Sequence, residues 1–101
     1  MASRVELQTT LEKLLDNKNV YYQPPESIKM EYPCIRYSKN GINVLYADDK
    51  KYRSYNQYQI IVIDRKPDNV AINKILELPL SSYERHYISD NLHHDVINIY
   101  Y

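Results

Sequence analysis

The 101-residue chain holds one cysteine, one glycine, no phenylalanine and no tryptophan. Each shortage excludes something. Cys34 alone cannot form an intramolecular disulfide, which fits folding in a reducing cytosol. One glycine, Gly41, rules out the glycine-rich loops that cradle phosphates, whether GxGxxG or a P-loop. No apolar run approaches the roughly 18 residues of a membrane span. The opening MASRVELQTT has no apolar core of a secretory signal, so neither a leader nor a membrane partner is expected. Charge of one sign is not in excess either, since 13 Lys and Arg balance 13 Asp and Glu. Sequence-independent nucleic-acid binding depends on many phosphate-neutralising cations, so that class is disfavoured.

Tyrosine is what the chain has instead, 12 residues of it. Its ring gives apolar contact area and its hydroxyl tolerates water, which suits half-buried sheet faces and protein interfaces better than a dry core. The length predicts a single domain over residues 1–101.

SRVELQTTLEKLLDN reads as a helix. Ser3 and Glu6 have capping-box spacing, and Leu7, Leu11, Leu14 and Leu15 fall on one face. Asp16-Asn17 ends it. Residues 17–33 are expected to form an extended arm or loop. Pro24, Pro25 and Pro33 interrupt regular structure there, while Tyr21, Tyr22, Ile28, Met30 and Tyr32 need a surface to cover. CIRYSKNGINVLYAD reads as a hairpin turning at Asn40-Gly41. ADDKKYRS follows as a polar loop, with Asp48-Asp49 a solvated turn. YNQYQIIVIDR is the strongest strand, and its run Ile60–Ile63 predicts cover on both faces. KPDNVAINKILELP is a second helix, capped by Asp68 and stopped by Pro79, with Ala71, Ile72, Ile75 and Leu76 buried. SSYERHYI and DVINIYY are closing strands joined around Ser89-Asp90-Asn91. The order α-β-β-β-α-β-β predicts an α+β fold, a mixed or mostly antiparallel sheet of about five strands with two helices on one face.

No catalytic set emerges. His86, His93 and His94 with a nearby Asp are the candidate metal set, but His93 and His94 are adjacent, so on a strand they point to opposite faces, no HExxH or Cys/His cluster supports them, and they read as surface or interface histidines. No metal and no cofactor is therefore expected. Cys34 lies in a strand without a helix N-terminus to activate it, and reads as a small core residue. Asp64-Arg65 reads as an ion pair or as a capping cluster with Asp68. The ionisable C-terminal residues Arg85, Asp90, Asn91 and Asp95 offer charge-assisted hydrogen bonds of the kind that fix geometry between surfaces.

Three segments carry a resemblance: VYYQPPESIKMEYPCIRY (20–37), YQIIVIDRKPDN (58–69) and LPLSSYERHYISDNLHHDVINIYY (78–101). In this order they resemble motifs of small proteins from tailed-phage structural-gene clusters, the tail-terminator or tail-completion family. The resemblance covers most of the chain and omits mainly the first helix and residues 47–57. It implies a non-enzymatic ring, typically hexameric, that caps the tail tube, stops its polymerisation and joins the tail to the head connector in the virion. The partners it implies are further copies of the chain, the tail-tube protein and a head-completion or connector protein. DNA would only pass through the lumen. The alternative within the same class is a head-completion or connector protein on the capsid side; a small enzyme is a more distant one.

Carried over by position, the interface candidates are Gln23, Pro24, Pro25, Glu26 and Tyr32 in the arm, and Asp64, Arg65 and Asp68 after the central strand. Arg85, Tyr87, Asp90, Asn91, His94 and Asp95 complete them. Pro33, Cys34, Pro67 and Leu92 also match the motifs. Lys66, Ser82, Tyr83-Glu84 and His93 depart from the family pattern.

Overall fold

The computed structural model describes residues 4–24, 29–47 and 50–101. Ser3 of the expected capping box, Pro25, Glu26, Ile28 and the Asp48-Asp49 turn lie outside the described residues.

Helix α1 spans Arg4–Leu15. Its Leu7 and Leu11 are fully buried, and Leu14 and Leu15 pack against the same core. The helix closes as a Schellman motif: Asn17 N–H donates to Glu12 O and Asp16 N–H to Lys13 O, both at 3.2 Å. Asp16 takes the left-handed position at φ 57° that glycine usually fills.

Among the described residues, five strands form one sheet in the order β1-β2-β3-β5-β4. They are β1 (Val20–Tyr22), β2 (Cys34–Ala47), β3 (Lys50–Asp64), β4 (Ser81–Ser89) and β5 (Leu92–Tyr100). β1 pairs parallel to β2, and all other pairings are antiparallel. Helix α2 (Val70–Leu76) links β3 to β4. Leu7 and Leu11 of α1 and Ile75 of α2 share one core with Val20, Ile35, Tyr37, Tyr58, Ile60, Val62, Ile97 and Ile99. Both helices therefore cover the same sheet face. The fold is α+β in the expected element order.

The strands differ from expectation in three ways. Val20–Tyr22 is not part of a free arm but a short parallel edge strand, with Gln23 N–H donating to Tyr37 O at 2.9 Å. Asn40-Gly41 is not a hairpin turn. β2 runs through it, and the register slips by one residue between Lys39 and Gly41, the mark of a bulge. Gly41 has no positive φ. Finally, residues 50–54 belong to β3 rather than to a polar loop. β1 stops opposite Tyr37, and beyond β5 Tyr101 still exchanges backbone hydrogen bonds with Asn56, so residues 43–47 and 50–55 pair only with each other. They form a two-stranded ribbon, and the molecule is 50 × 25 × 23 Å.

The hairpin between β4 and β5 is as expected. Asp90 (φ 52°) and Asn91 (φ 62°) make a two-residue turn of the mirror-image kind that suits the strand twist. Within β3, Ile60 and Val62 are buried beneath the helices and Ile63 is buried on the opposite face, but Ile61 on that face is only half-buried. The cap of α2 is Asn69, not Asp68: Asn69 Oδ1 accepts from Ala71 N–H at 2.8 Å, while Asp68 holds φ 61° ahead of it. Two tyrosines enter the core against expectation, Tyr37 at 1% and Tyr58 at 2% exposed. The Tyr37 hydroxyl donates to Gln8 Oε1 on α1, which satisfies it without water. Among the described residues, no helix is long and apolar enough to cross a membrane.

Candidate functional site

The register gathers distant segments at one end of the sheet. Cys34 pairs with Ile63, Ile63 with His94, and His94 with Tyr87. The start of β2, the end of β3 with the corner into α2, and the β4–β5 turn therefore meet there. Tyr32, Asp64, Arg65, Asp68, Tyr87, Asp90, Asn91 and His94 all sit at or next to this end. The two-stranded ribbon leaves from the opposite end. Gln23 and Pro24 are not part of the cluster, because β1 runs away from that end before reaching them.

At the corner, Asp64 has a local task. Its Oδ1 accepts from Lys66 N–H at 3.2 Å and its Oδ2 from Asn69 Nδ2 at 2.8 Å. The carboxylate thus fixes the residue that caps α2. The expected capping cluster exists, with Asn69 in place of Asp68. Arg65 and Asp68 are exposed beside it.

The open sheet face carries a short aromatic ladder. Tyr87 and His94 stack at 4.6 Å between ring centroids with an interplanar angle of 12°. The Arg85 guanidinium carbon lies 5.4 Å from the Tyr87 ring centroid, within reach of a cation–π contact. His94 Nδ1 lies 3.0 Å from Leu92 O, so Nδ1 carries the proton donated there. Arg85 is exposed, with Glu84 Oε2 3.6 Å away.

The helix-covered face carries a second cluster, which the sequence did not reveal. A register shift between Tyr83 and Arg85 puts an extra residue, Glu84, into β4. Simple alternation would place Tyr83 and His86 on opposite faces; the bulge returns both to one face. There they meet Asp95, whose Oδ1 accepts from the Tyr83 hydroxyl at 2.6 Å and lies 2.8 Å from His86 Nδ1. His86 Nε2 lies 3.3 Å from Nδ1 of His93, with ring centroids 5.3 Å apart. The bond to Asp95 holds the Tyr83 hydroxyl up to about 12, because ionising it would set a phenolate against a carboxylate.

Asp95, expected at a surface between molecules, is thus engaged by its own chain's Tyr83 and His86. It is 7% exposed and bonded within its own chain. An Asp–His pair also occurs in catalytic triads, but the outward nitrogen of His86 faces an imidazole, not a hydroxyl or thiol nucleophile. Cys34 is fully buried, and burial pushes its thiol up to about 12, the opposite of what a nucleophile needs.

Compared with protein-family models and with curated proteins, the chain gives no match.

Proposed function

We propose that this chain is a structural protein of a tailed-phage virion that assembles as a closed ring on the tail tube and acts by contact alone. The observation that carries this reading is the convergence of three motif segments, around Tyr32-Pro33-Cys34, Asp64–Asp68 and Tyr87–Asp95, on one end of the sheet. Segments this far apart in sequence meet there through strand pairing. The end offers exposed charges and half-buried rings, the mixture found at the polar rim and aromatic core of protein interfaces.

Two further features support the reading. A head-to-tail ring needs two different complementary surfaces on each subunit. β4 is a nine-residue outer strand exposed along most of its length, with Tyr83 45% and Ile88 62% exposed. A long open edge of this kind is a template for another chain. At the far end, the ribbon formed by residues 43–47 and 50–55 has no sheet neighbour among the described residues of its own subunit. Two strands alone are marginal in water, so a neighbouring subunit or the tube would stabilise it. Balanced charge suits a ring through which DNA passes without being held.

Mixing the purified chain with isolated tail tubes and, separately, with DNA-filled heads tests the reading. Binding confined to tube ends is the expected result. Binding confined to heads would move the protein to the capsid side of the neck, and binding to neither would overturn the proposal.

A further inference from the structure

We propose that His86 and His93 together form a site for a divalent transition metal, best suited to zinc, on the helix-covered face of the β4–β5 hairpin. The inference is independent of the assembly role. It rests first on the 3.3 Å between His86 Nε2 and His93 Nδ1. Zinc–imidazole bonds of about 2.0–2.1 Å at tetrahedral angles place two ligand nitrogens about 3.3–3.4 Å apart. Square-planar binding at neighbouring positions would bring them to about 2.9 Å, so the observed spacing favours the tetrahedral ion.

The second observation lies behind the first. His86 Nδ1 is 2.8 Å from Asp95 Oδ1, and the same oxygen accepts from Tyr83. A ligating histidine typically donates its other N–H to a carboxylate, which fixes the tautomer and the ring orientation. With the proton on Nδ1, His86 presents a bare Nε2 toward His93. Asp95 is nearly buried and its strand is paired on both sides, so the carboxylate is held in place before any metal arrives.

The metal would take the place of the single proton now shared between the two rings. His93 would then carry its proton on Nε2, leaving Nδ1 free to ligate. Among the described residues, no group of three or more His, Cys, Asp or Glu side chains is placed to hold an ion. The remaining positions therefore belong to water or to a donor from a second molecule. His94 points to the opposite face and cannot join, as the adjacency of the two residues requires.

Zinc chloride titrated into the untagged full chain, followed by calorimetry and by the imidazole nitrogen resonances, tests the site. One ion per chain is expected, with the largest shifts at His86 Nε2 and His93 Nδ1. His86→Ala and His93→Ala should each weaken binding at least about tenfold. Asp95→Asn, which keeps the shape but removes the charge behind His86, should weaken it about 10–100-fold. His94→Ala should leave it unchanged. The proposal is overturned by absence of binding at millimolar zinc, by unchanged affinity in His93→Ala with its circular dichroism intact, or by an equal loss in His94→Ala.

Discussion

Replacing Tyr37 with phenylalanine removes one oxygen atom from the centre of the fold. Tyr37 is 1% exposed, and its hydroxyl donates to Gln8 Oε1 while accepting from Arg4 Nη1 at 3.4 Å. Gln8 in turn donates through Nε2 to Val20 O at 3.0 Å. One hydroxyl therefore ties α1 to β2, and through Gln8 to β1. The ring still fills the core in Tyr37→Phe, so no cavity term enters. What is lost is the hydrogen bond, and Gln8 Oε1 is left without that donor in a half-buried place. A net hydrogen bond contributes about 0.5–1.5 kcal/mol, and an unsatisfied partner costs about 1–3 kcal/mol. A loss of about 1–3 kcal/mol is expected. For a chain of this size each kcal/mol lowers Tm by about 4–8 °C. Thermal and urea unfolding should show a drop of at least about 4 °C, with amide exchange in α1 rising more than in β5. A double-mutant cycle with Gln8→Met should return a coupling of about 1 kcal/mol. A drop below about 1 °C, or zero coupling, would refute this account of how α1 is held.

Three other expectations follow from particular residues. Gly41→Ala should change stability by less than about 1 kcal/mol in urea unfolding, because Gly41 has no positive φ and an added Cβ would meet the Gln57 side chain at ordinary contact distances, Oε1 at 3.4 Å and Cβ at 3.9 Å. A larger loss would restore the turn at Asn40-Gly41. Cys34 should resist alkylation in the native state, and it should make stability fall with rising pH. The unfolded thiol ionises near 9.0 and the folded one, raised by burial and then by Asp64, near about 12. Between these values the unfolded chain binds fewer protons, so stability declines by up to about 1.4 kcal/mol per pH unit. Unfolding of Cys34→Ala should lack that part of the slope; an identical slope would contradict it. Asp95→Ala should lower Tm, since Tyr83 and His86 both lose their acceptor, whereas Arg85→Ala should leave stability within about 0.5 kcal/mol and reduce assembly instead. Equal losses of stability and assembly in Arg85→Ala would make that residue merely structural.

The leucine stripe of α1, the apolar run of β3 and the Asp90-Asn91 turn were legible because each signal is local: a helical period, a hydrophobic run, two residues that tolerate positive φ. Three features were not. Asn40-Gly41 has the composition of a mirror-image turn, but pairing continues through it to Ala47, and the long ladder with β3 overrides the local preference. Val20–Tyr22 is too short to stand out between polar residues, and it is a strand only because β2 lies beside it. Asp95 could not be assigned to its partners, because the bulge at Glu84 reverses the alternation on which facing is read. Bulges are set by the pairing of two strands, so neither strand announces them alone. The same holds for the gathered sheet end. Its residues were visible one by one, but their meeting depends on strand order.

The most direct test is to polymerise tail-tube protein with and without this chain and to measure tube lengths by electron microscopy. A collar acting by contact predicts that growth halts once the chain is added, with ring-shaped density at one end of each tube. Tubes that lengthen equally in its presence, with bare ends, would contradict the account.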